Sequence, residues 1–127
     1  MVSASPSKPG VIDLSPQAFI GRNTPLQLID VRSRFEYDRF HAPTAINLSL
    51  PRILIGQVPV LRNWALPQWF RELPKDQPIA VICLTAHRSP MAAQQLLKLG
   101  FTHIFNITGG MMAWQKAGLP IQTSGTP

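Results

Sequence analysis

Cys83 is the single cysteine of the chain, and the residues after it are of the types that can make a thiol nucleophilic. It opens the stretch Cys83-Leu84-Thr85-Ala86-His87-Arg88, which runs into Ser89-Pro90. Arg88 carries a permanent positive charge and His87 a titratable one. A cationic neighbour or a helix N-terminus can lower a cysteine pKa to about 3.5–7.5, so thiolate exists at neutral pH. A tight loop whose N–H groups turn inward adds an anion-binding nest. Cys83 is therefore the candidate nucleophile, with Leu84, Thr85, Ala86, His87, Arg88 and Ser89 as the candidate substrate-binding loop. The competing reading is a buried structural cysteine, since free Cys is among the most buried residue types.

Such a loop needs a strand before it and a helix after it. Ile79-Ala-Val-Ile82 is a short apolar run of the kind a buried parallel strand shows. Ser89-Pro90 predicts an N-cap and a first helical position, and Met91 to Leu99 continues in good helix formers up to Gly100. Open α/β sheets bind ligands at such carboxyl strand ends. Elsewhere, Val11–Leu14 reads as an edge strand, and Ser15-Pro16 starts a short helix that Gly21 stops. Pro25–Val31 reads as a strand, Arg34–Phe40 as a two-turn helix, and Ala45–Leu48 as another strand. Arg32 and Glu36 would pair at i,i+4 if that helix starts early. Four prolines interrupt residues 49–74, where Trp64, Leu66, Trp69 and Phe70 suggest helices over the sheet. His103–Ile107 is a further strand, and Met111–Ala117 a last helix. Alternating strands and helices predict a small three-layer α/β domain with a mainly parallel central sheet flanked by helices.

At 127 residues the chain is one domain by length, drawn here as a mobile lead-in over 1–10, a folded unit over 11–122 and a flexible tail over 123–127. Hydrophobic residues make up 45% and charged residues 14%, a composition that folds. The net charge of +6 suits anionic small substrates or an acidic partner. The basic residues are scattered and one Tyr is present for base stacking, so no nucleic-acid partner is expected. No apolar run of membrane-spanning length and no signal-peptide core stand in the sequence, which predicts a cytoplasmic protein with no membrane partner. One cysteine and three separated histidines offer no metal-ligand spacing; neither a metal nor another cofactor is expected.

Four blocks together resemble a single-domain rhodanese: Leu28-Ile-Asp-Val-Arg32 with Glu36-Tyr37, His41-Ala-Pro-Thr-Ala-Ile-Asn47, Cys83 to Ser89, and Thr108-Gly-Gly-Met-Met-Ala-Trp114. Their order and spacing agree over roughly residues 10 to 122. The resemblance implies a sulfurtransferase working through a Cys83 persulfide, with Leu84 to Arg88 as the active-site loop and Asp30 and Arg32 as supports beside it. It further implies a small anionic sulfur donor, such as thiosulfate, or a protein persulfide, and an external thiol or cyanide as acceptor. No second cysteine is present to resolve the persulfide internally. Three positions depart from the family's habit: Ala86 and Thr44 where it often has Gly, and Leu84 where thiosulfate users commonly have a basic residue. Ala at positive φ would cost about 1 kcal/mol or more.

Two other classes compete. Cysteine phosphatases and arsenate reductases place the arginine six positions after the cysteine, whereas Arg88 stands five after Cys83, giving a ring better matched to one sulfur than to a phosphate. A non-catalytic module of the same fold is the other alternative. Among the remaining residues, His41 reads as structural, His103 as exposed, and Trp114 with Met111-Met112 as core. Gly109-Gly110 forms a turn or lets backbones approach. A monomer is the expected state.

Overall fold

The computed structural model describes residues 6–8, 10–23, 26–85 and 87–123. Among them six strands form one sheet in the order β1-β2-β6-β5-β3-β4. These are β1 (Pro6–Lys8), β2 (Val11–Leu14), β3 (Gln27–Asp30), β4 (Ile46–Asn47), β5 (Ile79–Ile82) and β6 (Ile104–Ile107). All pairings are parallel except β1 on β2, which is antiparallel. The helices are α1 (Pro16–Ile20), α2 (Arg34–Arg39), α3 (Leu50–Ile55), α4 (Arg62–Ala65), α5 (Gln68–Arg71), α6 (Arg88–Lys98) and α7 (Gly110–Lys116), with a 3-10 turn over Pro59–Leu61.

β5 has the central place because its residues are apolar on both faces. Ile79, Ala80, Val81 and Ile82 are all fully buried, as a strand covered by helices on each side must be. Side chains alternate between two cores. Ile79, Val81 and Cys83 join Ile29, Val31, Leu50 and Ile53 with Ala92, Ala93 and Leu96 of α6. Ala80 and Ile82 join Leu28, Ile107, Met111 and Trp114, so α7 lies on the opposite face from the Cys83 side chain.

Several expectations change. Val11–Leu14 is not an edge strand, because Pro6–Lys8 folds back across Gly10 (φ +85) and takes the edge. Part of the stretch drawn as a lead-in is thus a strand, while residues 1–5, 9 and 124–127 lie outside the described residues. The helix after Cys83 begins at Arg88 with His87 in the cap position, two residues earlier than Ser89-Pro90 suggests. Trp64 is exposed, whereas Leu66 and Phe70 pack on the sheet. Arg32 does not meet Glu36: Arg32 stands before the capping residue Ser33 and turns back to Asp30. His41 is buried, stacked on Tyr37 and bonded to its carbonyl; His103 is exposed. Trp114 and Met111 are core, but Met112 is exposed.

Candidate active site

Cys83 follows β5 directly, its side chain 1% exposed on the α6 face of the sheet. The Sγ lies 3.5 Å from Ser89 Oγ, which places the sulfur against the first turn of α6. Eleven residues long, α6 has the macrodipole to favour negative charge there.

The orientation of the loop follows from α7. The N–H of Met111 donates to the Cys83 carbonyl at 2.7 Å, and that of Met112 to the Leu84 carbonyl at 2.9 Å. Peptides are planar and trans, so each C=O drawn toward α7 turns the next N–H the other way. The amides of Leu84 and Thr85 therefore point away from α7, toward the face that carries the Cys83 sulfur. Gly110 makes the approach possible. A Cβ at that position would overlap the carbonyl oxygens of Cys83 and Thr85, and its φ of +60 independently favours glycine. The loop thus presents carbonyls to α7 and amides to the sulfur side, the polarity an anion cradle requires. Ala86 lies outside the described residues, so the question of its dihedral does too.

Arg88 is engaged by Glu36. Nη1 and Nη2 donate to Oε1 and Oε2 at 2.7 and 2.9 Å, a bidentate pair joining α6 to α2. Hydrogen bonding from Arg88 holds the Glu36 carboxyl down at about 2, with further help from Ser33. Glu36 in turn raises the Arg88 pKa above its ordinary value, and the charges of Cys83 and Asp30 push the same way. The partner of Glu36 is thus Arg88 across the loop mouth, rather than Arg32, which precedes the helix. Two clefts flank this pair. One, of about 180 Å³, is lined by Arg32, Phe35, Glu36, Arg39, Phe40 and Leu84. The other, of about 320 Å³, runs along Val31, Ser33, Arg34, Ser49, Leu50 and Arg88.

Asp30 and Arg32 lie on the other face of the sheet from the sulfur. Asp30 stands in register with Ile82, and its carboxylate accepts from Arg32 Nε at 3.0 Å and Nη2 at 2.8 Å. Arg32 Nη2 also donates to the Phe40 carbonyl at 2.6 Å. Both residues are fully buried, so they brace the chain after α2 rather than gripping the 83–88 loop directly. Asn47 completes the brace by donating to the carbonyls of Asp30 and Arg32. His87 is exposed and its Nδ1 meets Thr85 Oγ1 at 2.8 Å. Ser89, expected as a cap, is instead fully buried and donates to Asn106 Oδ1 at 2.6 Å. Asn106 escaped the sequence reading, although a polar residue inside the apolar run His-Ile-Phe-Asn-Ile was a usable signal. Among the described residues, no three His, Cys, Asp or Glu side chains cluster as a metal site.

Residues 17–117 match the Rhodanese-like domain in a comparison with protein families. The chain belongs to the rhodanese-like family. Its relatives include the thiosulfate sulfurtransferase GlpE of Vibrio cholerae, 31% identical over 97 residues, which cover 76% of this chain and 79% of that protein. A sulfurtransferase of Allochromatium vinosum is 33% identical over 94 residues, covering 74% and 76% respectively. Among solved structures, a rhodanese-related protein of Thermoplasma volcanium superposes with a TM-score of 0.67 at 25% identity, covering 87% of this chain and 96% of that one. The parallel sheet and its flanking helices are thus the rhodanese-like fold, and no described helix is long and apolar enough to cross a membrane.

Proposed function

We propose that this chain is a sulfurtransferase that carries a sulfane sulfur on Cys83. The observation that supports the reading most is the polarity of the loop: carbonyls tied to α7 and amides turned to the sulfur side, at the N-terminus of α6. In the first half-reaction the Cys83 thiolate attacks the outer sulfur of the donor. A new S–S bond forms, the donor's own bond to that sulfur breaks, and the leaving group (sulfite from thiosulfate, a thiolate from a persulfide) departs with the electron pair. The terminal sulfur of Cys83–S–S⁻ then carries a charge that loop amides can hold, as an oxyanion hole does. In the second half-reaction an external thiolate or cyanide attacks that sulfur and Cys83 leaves as thiolate. One covalent intermediate between two substrates predicts ping-pong kinetics.

The Glu36–Arg88 pair bears on the donor. Arg88 is already neutralised by a carboxylate, and Leu84 adds no charge, so the mouth of the loop discriminates against a dianion such as thiosulfate relative to a singly charged persulfide. Cys83, the loop Leu84 to Ser89, a soluble cytoplasmic setting and a monomeric state belong to the same proposal. The second reading, a non-catalytic module, is favoured by the near-complete burial of Cys83. Thiocyanate release from thiosulfate or a persulfide donor plus cyanide separates the two. The wild type should turn over by ping-pong kinetics and Cys83→Ser should show no product with an unchanged fold; residual turnover in Cys83→Ser would sink the proposal.

A further inference from the structure

Behind the candidate nucleophile runs a chain of polar groups, half-buried at Asp13 and buried at Asn106 and Ser89, whose hydrogen bonds have a fixed direction. Asp13 on β2 and Asn106 on β6 are register partners, and Asn106 also stands opposite Val81 of β5, on the face that carries the Cys83 side chain. Asn106 Nδ2 donates to Asp13 Oδ1 at 3.1 Å. An ionised carboxylate only accepts, so the Asn106 amide cannot be turned over, and its Oδ1 must face Ser89. That oxygen accepts the Ser89 hydroxyl proton at 2.6 Å. Ser89 has one proton and has given it away. Toward Cys83 it presents lone pairs alone, so the 3.5 Å contact is an S–H donation from the thiol to Ser89 Oγ.

We infer that Asp13 and Asn106 are positioning residues that lock Ser89 as a hydrogen-bond acceptor and thereby hold Cys83 toward its thiol form. The inference rests on the reading of Cys83 as the working nucleophile but adds an opposing force to it: the loop amides and α6 favour thiolate, while the chain from β2 favours the proton. A hydroxyl free to rotate would donate to the thiolate instead. Of the other charged or titratable groups, Arg88 on α6 interacts with Cys83 and is itself paired with Glu36 on α2, His87 in the loop is bonded to Thr85, and Asp30 at the end of β3 lies on the opposite face of the sheet. α3 offers the sulfur only apolar Leu50 and Ile53, and none of these groups touches the Asp13–Asn106–Ser89 path in the hydrogen bonds of the described residues.

The test is a spectrophotometric pH titration of thiolate absorbance, with Cys83→Ser subtracted; the chain's single cysteine makes the difference spectrum unambiguous. Asn106→Val frees the Ser89 proton, and the apparent thiol pKa should fall by about one to two pH units, the size of a hydrogen bond to a charged group. In a Ser89→Ala background the same substitution should leave the pKa where it was. Asp13→Asn, which alters neither size nor core packing, is the second variant: residue 13 can then donate as well as accept, so the Asn106 amide can turn over. Its downward shift should be larger with Ser89 present than in Ser89→Ala, the remainder being the lost carboxylate charge. An unshifted titration in Asn106→Val, or shifts equal with and without Ser89 for either variant, would overturn the inference. No sulfur donor enters this measurement, so it stands or falls apart from thiocyanate formation.

Discussion

Glu36 and Arg88 hold one another at the mouth of the loop, and their bond makes two measurable demands. Glu36 has its pKa lowered from 4.5 to about 2 in the folded chain, first by the Arg88 hydrogen bonds. A depressed carboxylate contributes stability that is fully present above the unfolded-state pKa and is lost as pH falls through the folded one. Acid should therefore weaken the wild type between pH 4.5 and about 2 through this group, and Glu36→Gln should be less sensitive across that window. Urea midpoints at a series of pH values measure it; parallel profiles for the two proteins would show that the pair contributes nothing. The second demand concerns the donor. With the carboxylate gone, Arg88 is free to meet a dianion, and kcat/KM for thiosulfate should rise about three- to ten-fold in Glu36→Gln, or 0.7–1.4 kcal/mol by the usual conversion. A monoanionic persulfide donor should gain less. Arg88→Ala should weaken both donors.

The contact between α7 and the loop is an arrangement of backbones, and a single methyl group tests it. In Gly110→Ala the new carbon would overlap the carbonyls of Cys83 and Thr85 at a φ of +60. The loop or the helix has to move, at a cost of about 2–4 kcal/mol for strain and overlap combined. Because the same carbonyls orient the amides of Leu84 and Thr85, thiocyanate formation should fall by more than the loss of folded protein explains. Circular dichroism with rate measurements at matched folded fraction separates the two; a stable, fully active Gly110→Ala would mean the approach is not needed. This element was only partly legible in advance, since Gly109-Gly110 between a strand and a helix reads equally as a simple turn or as a close approach of backbones. Ser89 was misread for a physical reason. Ser-Pro is a local capping signal, but Ser89 is held by Asn106, 17 positions away on β6. Likewise the partner of Glu36 was sought four positions away on its own helix, and lies 52 positions away. Local periodicity finds strands and helices, whereas the partner of a polar group depends on which strand ends the sheet brings together.

At the scale of the molecule, the doubly covered parallel sheet was readable because Ile79–Ile82 is apolar at every position and the other strands alternate with helices. The edge was not: nothing in Pro6-Ser7-Lys8 resembles a strand except that Gly10 lets it fold back onto Val11–Leu14. The site is divided between the two faces of this sheet, sulfur on one and the Asp30–Arg32 ion pair on the other. That pair is fully buried, and removing one partner strands the other's charge, so Asp30→Ala should cost about 3–5 kcal/mol in urea denaturation. Replacing both residues with apolar side chains should cost less than the single change, since no unpaired charge remains. Charge is also uneven around the loop: of the arginines lining the two flanking clefts, Arg32, Arg34 and Arg88 are paired with Asp30, Asp38 and Glu36, whereas Arg39 has no carboxylate partner among the described residues. On a chain of net charge +6 this field draws anionic donors toward the loop from beyond contact distance. Raising ionic strength from 0.01 to 0.15 M shortens the Debye length from about 30 to about 8 Å. The kcat/KM for thiosulfate should then drop roughly three- to ten-fold, and the drop should be smaller in Arg39→Gln, whose side chain is exposed at the rim of the cleft. A salt-independent rate would mean that thiosulfate reaches Cys83 by contact geometry alone, without guidance from the basic rim.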